Sequence, residues 1–212
     1  MPLLSRWKEN DGLWGIWHVT ETGEELRSFL SDHAVSEELE LLKAPSRKLE
    51  YLAVRVLLKV LRGREGQIGH EVSGKPFLVG ENCHISISHT KGYVAVGLHE
   101  TLHPGMDIET FGERVRKVET RFVREDEMPE RKSMESREEL YQLLLHWSAK
   151  ETMFKVLDCE EVDFLRHLKV EPFRLVSSGT FGGESFHLKA CRHFTIHYLI
   201  HSDFVCTYCL GE

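Results

Sequence analysis

No run of this 212-residue sequence approaches the ~18 apolar residues of a membrane span. The opening MPLLSRWKENDG turns polar too early for a secretory signal. The expectation is a chain that stays in the cytoplasm, with no membrane partner. Five cysteines (Cys83, Cys159, Cys191, Cys206 and Cys209) are an odd number without a framework, which excludes a disulfide scaffold and implies reduced thiols. Internal repeats and low-complexity tracts are missing, as are the Gly-x-x-x-x-Gly-Lys-Ser/Thr phosphate loop, the Gly-x-Gly-x-x-Gly fingerprint and a nucleophilic serine elbow. Nucleoside triphosphatase and dinucleotide-binding folds are therefore disfavoured. An excess of positive charge is lacking too: the formal net charge is −7, which argues against a nucleic-acid partner.

Hydrophobic residues make up 41% of the chain and charged ones 29%, enough apolar side chains for a real core. Charge is uneven. Residues 43 to 75 hold eight Lys/Arg (Lys43, Arg47, Lys48, Arg55, Lys59, Arg62, Arg64, Lys75) against three acids (Glu50, Glu65, Glu71). A basic island in an acidic chain suits a small polyanion. Cys206 and Cys209 form a Cys-x-x-Cys preceded by His193, His197 and His201, which invites a zinc reading. The segment alternates like a strand, however, and residues four apart on a strand are about 13 Å from each other, too far to share a metal. Exposed strand histidines are the preferred reading.

The apolar pattern predicts a strand at 14–20, an acidic helix at 24–42, and a strong helix over APSRKLEYLAVRVLLKVLRG with Ser46 as N-cap and Gly63 at its C-terminal stop. In that helix Leu49, Leu52, Ala53, Val56, Leu57 and Val60 form the core stripe, and Lys48, Arg55, Lys59 and Arg62 lie away from it. CHISIS and YVAVGL read as a hairpin with His89 in the turn HTKG, and GMDIE as a further strand. Residues 113–136 read as charged and helical around an irregular Pro129, a second long helix starts near Ser136, and strands follow from 168 (LKVEPFRLV, SFHLKAC, FTIHYLI, VCTYCL). Without a regular βαβ rhythm the fold class is α+β.

The chemistry concentrates in three acids. Asp107 and Glu109, two apart on a strand, share one face and repel. In the later helix, 100° per residue places Leu140, Leu144, Trp147, Glu151 and Phe154 on one face, so Glu151 is a carboxylate on an apolar face. One divalent cation between strand and helix would satisfy all three, and oxygen-only donors favour Mg²⁺ or Mn²⁺. The competing reading of Glu151 is an i,i+4 ion pair with Lys155, worth about 0.2–0.5 kcal/mol. Lys150 and Lys155 flank the position, His89 and Lys75 are further candidate phosphate donors, and the combination is that of a polyphosphate site.

In order, GKPFL, ISISHT, GMDIE and WSAKETMFK resemble the 4′-phosphopantetheinyl transferase superfamily, in its surfactin-synthetase-type branch. The matches run from Gly74 to Lys155, with RKLEYLAVRVLLKVL similar to the family's basic helix. The resemblance implies two similar α+β subdomains (here 1–103 and 104–212) about a pseudo-twofold axis, with coenzyme A in the cleft between them. It implies Mg²⁺ on Asp107, Glu109 and Glu151, pyrophosphate charge neutralised by Lys150 and Lys155, and coenzyme A contacts from Arg47, Arg55, Lys75, Ser88 and His89. The implied reaction moves 4′-phosphopantetheine from coenzyme A to a serine of an apo acyl or peptidyl carrier protein and releases adenosine 3′,5′-bisphosphate. Glu127 is the implied base, with a metal-bound water as competitor. A monomer fits this picture. Thr152 stands where the family usually has Ala or Ser, Met106 where Ile or Val is commoner, and VSEELELLK lacks the family's nearby basic residues. A Mg²⁺-dependent phosphohydrolase or nuclease, and a non-enzymatic coenzyme A or carrier-binding module, are the other readings of the same acids.

Overall fold

The computed structural model describes residues 2–35, 37–128, 131, 134–157, 161–186 and 191–211. The fold is α+β, in two compact units, Met1–Pro104 and Gly105–Glu212. Among the described residues no helix is long and apolar enough to cross a membrane.

In the first unit, strands β1 (Leu3–Glu9), β2 (Gly12–His18), β5 (His84–Thr90) and β6 (Tyr93–His99) form an antiparallel sheet in the order β1-β2-β6-β5. A short ribbon pairs β3 (Ile68–His70) with β4 (Pro76–Leu78). Helix α3 (Pro45–Arg62) packs on β2 and β6. Its start differs from expectation. Ala44 is the N-cap, and Pro45, whose fixed φ and missing N–H suit the first helical turn, begins the helix. It ends as read, on Gly63 in the left-handed region (φ 73°). Leu52, Ala53, Val56, Leu57 and Leu61 bury against Trp17, Val94 and Val96.

The acidic helix expected over 24–42 is broken. Helix α1 (Gly23–Ser28) is closed by a Thr22–Glu25 capping box, and after a single 3₁₀ turn at Asp32–Ala34 comes the short α2 (Glu38–Leu41). Few apolar residues in this stretch bury, so nothing holds a longer helix together. The hairpin is also longer than read. His89 is paired with Val94 inside β5 rather than standing in the turn, and Gly92 (φ 78°) makes the reversal.

In the second unit, β7 (His103–Thr110, which begins in the first unit) heads a five-stranded sheet ordered β7-β11-β10-β9-β8. The others are β8 (Leu168–Val170), β9 (Ser178–Ser185), β10 (Arg192–Ile200) and β11 (Phe204–Gly211). Helix α4 (Ser136–Leu157) lies across β11, and the short α5 (Phe164–His167) precedes β8. The core joins Phe122, Leu143, Leu145, Ala149 and Met153 to Ile196 and Val205. Residues 113–121 form two 3₁₀ turns instead of a helix, and the expected irregularity at Pro129 lies outside the described residues. Only Leu168–Val170 of LKVEPFRLV is strand. The strand expected as SFHLKAC is displaced to Ser178–Ser185, and its positions 187–190 are likewise outside the described residues. Cys206 and Cys209 are buried on β11, their thiol pKa values pushed up by burial (Cys209 to about 12), which is the environment of inert core cysteines.

Candidate active site

The site in the second unit is built from β7 and α4. Alternation along β7 turns Met106 and Ile108 to one face and Asp107 and Glu109 to the other. The strand approaches the helix closely because Gly105 has no side chain: a Cβ there would stand 2.4 Å from the Thr152 carbonyl oxygen and 2.6 Å from Val156. The glycine of GMDIE therefore sets the distance between the strand acids and the helix turn that carries Glu151. Replacing it with alanine forces a backbone shift, and Gly105→Ala is expected to lose about 1–3 kcal/mol of stability together with divalent-cation affinity. Denaturant titration and calorimetric Mg²⁺ binding check this.

On α4, three consecutive residues face three partners. Lys150 turns inward. Its ammonium is fully buried, 2.7 Å from one oxygen of Glu127 and 3.0 Å from the other, and it also donates to the carbonyls of Phe122 (2.6 Å), Phe164 (3.1 Å) and Leu168 (3.0 Å). Thr152, a further 200° around, bonds the Thr207 hydroxyl at 2.7 Å on β11. Between them Glu151 is half-buried at the edge of the helix, on the side of the β7 acids. The face expected to form the core stripe is in fact this edge. Leu140 and Leu144 are buried, but Trp147 and Glu151 are half-buried and Phe154 is 39% exposed. The reason is that α4 is buried over most of its circumference, with polar Gln142, His146, Ser148, Lys150 and Thr152 among the buried residues, so its single-face periodicity is weak.

Electrostatics tie the three acids together. Burial, and then the Asp107 charge, push the pKa of Glu109 and of Glu151 up to about 7, and the Glu151 charge adds to the rise at Glu109. Trp147 Nε1 donates to Glu109 Oε1 at 2.8 Å, and the indole is itself held between Phe122 and Phe164. Lys155, one turn after Glu151, sends its ammonium to Asp107 Oδ1 (2.9 Å) and to the Met106 carbonyl (2.8 Å), not into an i,i+4 pair. Among the described residues, the group of three potential donors whose atoms all lie within 4.8 Å of one another is not this one but Glu184, Cys191 and His193. Mutual repulsion of the three carboxylates favours a wider spacing, with the Lys155 ammonium against Asp107.

Glu127 is placed differently from an accessible base. It is 1% exposed, and besides Lys150 it accepts from the backbone N–H of Val170 and of Arg124, both at 2.7 Å. A carboxylate so enclosed holds the chain around α4.

In the first unit, Arg47 Nη1 lies 2.7 Å from His89 Nε2 and 3.0 Å from Glu50, so two of the expected phosphate ligands share one exposed cluster. Ser88 is buried in β5 beside it in sequence. Lys75, after Gly74 (φ 88°), stands 3.4 Å from His103 Nδ1, whose ring lies 4.1 Å from that of His84. Lys75, His84 and His103 line a cavity of about 610 Å³ with Glu71, Pro76 and Thr101. Burial, then the Lys75 charge, lower the His84 pKa. Arg55 is buried, stacked on Tyr51 (3.3 Å to the ring centre) and bonded to the Ala34 carbonyl at 3.1 Å. The basic island is thus partly neutralised within the unit: Lys59 pairs with Glu65, and Arg62 and Arg64 both pair with Glu81. The helical repeat missed this at Arg55, because a long side chain can curl over the helix and bury from a polar sector. Trp147, His84 and His103 were not singled out as site residues. The indole's place one turn before Glu151 was the available signal for the first; the histidines carried none.

The second unit thus brings a strand bearing two acids against a helix bearing a third and a lysine. Residues 104–209, half of the chain, match the family model of the 4′-phosphopantetheinyl transferase superfamily, and the chain belongs to that family. No curated protein gives a significant match to the chain. Membership makes it a transferase of the phosphopantetheinyl type, in a family that uses coenzyme A and a divalent metal.

Proposed function

We propose that this protein transfers 4′-phosphopantetheine from coenzyme A to the serine of an apo carrier protein, with Mg²⁺ as the divalent cation. The observation that carries the proposal is the carboxylate set on β7 and α4: Asp107, Glu109 and Glu151, two of them lifted to about 7 by burial and mutual charge. The set fits the cation. Its donors are all hard oxygens, and a divalent ion would relieve their mutual repulsion. When bound, the ion supplies charge neutralisation at the coenzyme A pyrophosphate.

The chain's own residues do the rest. Lys155, already against Asp107, holds positive charge beside the acids and steadies the leaving phosphate. Trp147 fixes the rotamer of Glu109. Arg47, Lys75, Ser88 and His89 are assigned to the nucleotide end of coenzyme A, while Arg55 and Lys150 act by positioning backbone. In the reaction the serine oxygen forms a bond to the phosphorus that carries pantetheine, and the bond from that phosphorus to the bridging oxygen breaks. The hydroxyl proton leaves to a base, and adenosine 3′,5′-bisphosphate departs with the bridging oxygen.

The test is an incubation of the protein with coenzyme A, Mg²⁺ and an apo acyl carrier protein, read by intact mass. The expected result is a gain of one phosphopantetheine that chelator removes. Hydrolysis of coenzyme A with no gain on the carrier would overturn the proposal in favour of a phosphohydrolase.

A further inference from the structure

We infer that the second unit carries another metal site, for a borderline-soft divalent cation such as Zn²⁺, formed by Cys191, His193 and Glu184. One donor atom from each lies within 4.8 Å of the others. The register explains the grouping. His193 on β10 stands opposite Glu184 on β9, and its Nδ1 lies 3.4 Å from Glu184 Oε1. Cys191, two residues before His193, falls on the same side of the chain as it enters β10. Lys169 is the cross-strand neighbour of Glu184 on its other flank, but its ammonium is directed to Asp126 at 3.2 Å.

The donor chemistry differs from that of the β7–α4 acids. One thiolate, one imidazole and one carboxylate form a set that zinc accepts readily and magnesium does not. With bond lengths of roughly 2.0–2.3 Å, tetrahedral zinc puts its donors about 3.3–3.8 Å apart, so the imidazole and carboxylate already stand at the required separation. Cys191 and the His193 ring are exposed, which leaves a fourth position open to solvent and the thiol free to lose its proton on binding. Of the histidines and the Cys-x-x-Cys that invite a zinc reading in the sequence, only His193 takes part. Cys206 and Cys209 are core residues, and the partner thiol is Cys191. A bound ion would tie the start of β10 to β9. The inference is independent of the transferase reading.

The experiment is a Co²⁺ titration of the full, metal-free protein followed by absorption. One equivalent is expected to give the near-ultraviolet band of a thiolate–cobalt bond. Cys191→Ser is expected to abolish the band, and His193→Ala to weaken binding at least tenfold. Glu151→Gln, which alters the oxygen-donor site, is expected to leave the band in place. Zn²⁺ is expected to protect Cys191 from alkylation, read by peptide mass. Absence of the thiolate band, its persistence in Cys191→Ser, or unchanged affinity in His193→Ala would overturn the inference.

Discussion

Lys150→Ala is expected to destabilise the protein by about 3–5 kcal/mol, the range for removing one partner of a buried ion pair. Removing the ammonium leaves the Glu127 carboxylate charged, enclosed and unneutralised, and deprives three backbone carbonyls of a shared donor. Those carbonyls belong to Phe122, Phe164 and Leu168, so one side chain joins the loop before α4, α5 and the first residue of β8. Desolvation by itself lowers the Lys150 pKa, and the Glu127 charge opposes that fall. The pair persists because each member answers the other's burial. Glu127→Gln is expected to cost less, since the amide oxygen keeps one of the two backbone N–H donors. The double variant Lys150→Ala with Glu127→Gln is expected to be less harmful than the sum of the singles, with a coupling of about 0.5–3 kcal/mol. Urea midpoints of the four proteins measure this directly. Transfer activity of the double variant then separates a structural pair from a participating base: total activity is expected to follow the folded fraction, with activity per folded molecule unchanged. An unchanged midpoint in Lys150→Ala would show that the pair does not hold α4 in place.

What the sequence made legible was local. The stop at Gly63, the start near Ser136 and the strand carrying Asp107 and Glu109 each follow from short-range rules: a left-handed stop, a helical run of apolar residues, an alternation of two. What it hid was set by tertiary contact. Lys150 and Glu151 are neighbours with opposite fates because the helix rotates 100° between them, and only the placement of residues 122–127 decides which of the two is buried. Arg55 reads as part of a basic face, and its guanidinium folds back on Tyr51 instead. Gly105 reads as the first residue of the strand GMDIE, yet its work is steric, at a helix 47 positions away in the chain. The grouping of Cys191 with Glu184 needed the β9–β10 register, which no pattern within either segment specifies.

Glu151→Gln is expected to reduce transfer by about a hundredfold or more while stabilising the metal-free protein at alkaline pH. Loss of even an outer-shell partner of a metal site typically costs 10–100-fold, and a donor to the ion itself should exceed that. The stability effect has the opposite sign for a definite reason. The Glu151 pKa is raised from 4.5 to about 7 in the folded protein, first by burial and then by the Asp107 charge. Its contribution to stability is therefore complete below about pH 4.5, where it is protonated in both states, and is lost as pH rises to about 7. Glutamine stands in for the protonated acid at every pH. Wild type and variant are thus expected to melt alike near pH 4.5, with the variant higher near pH 8, where one fewer charge is pressed against Asp107 and Glu109. Mg²⁺ should reverse the order near pH 8, raising wild type more than the variant, because the ion binds the ionised set and displaces its protons. Thermal melts at the two pH values, with and without Mg²⁺, give four comparisons. A variant less stable than wild type near pH 8 without metal, or one that gains as much from Mg²⁺, would contradict the placement of Glu151 among repelling, cation-holding acids. The same carboxylate that weakens the empty site is the one that makes it bind.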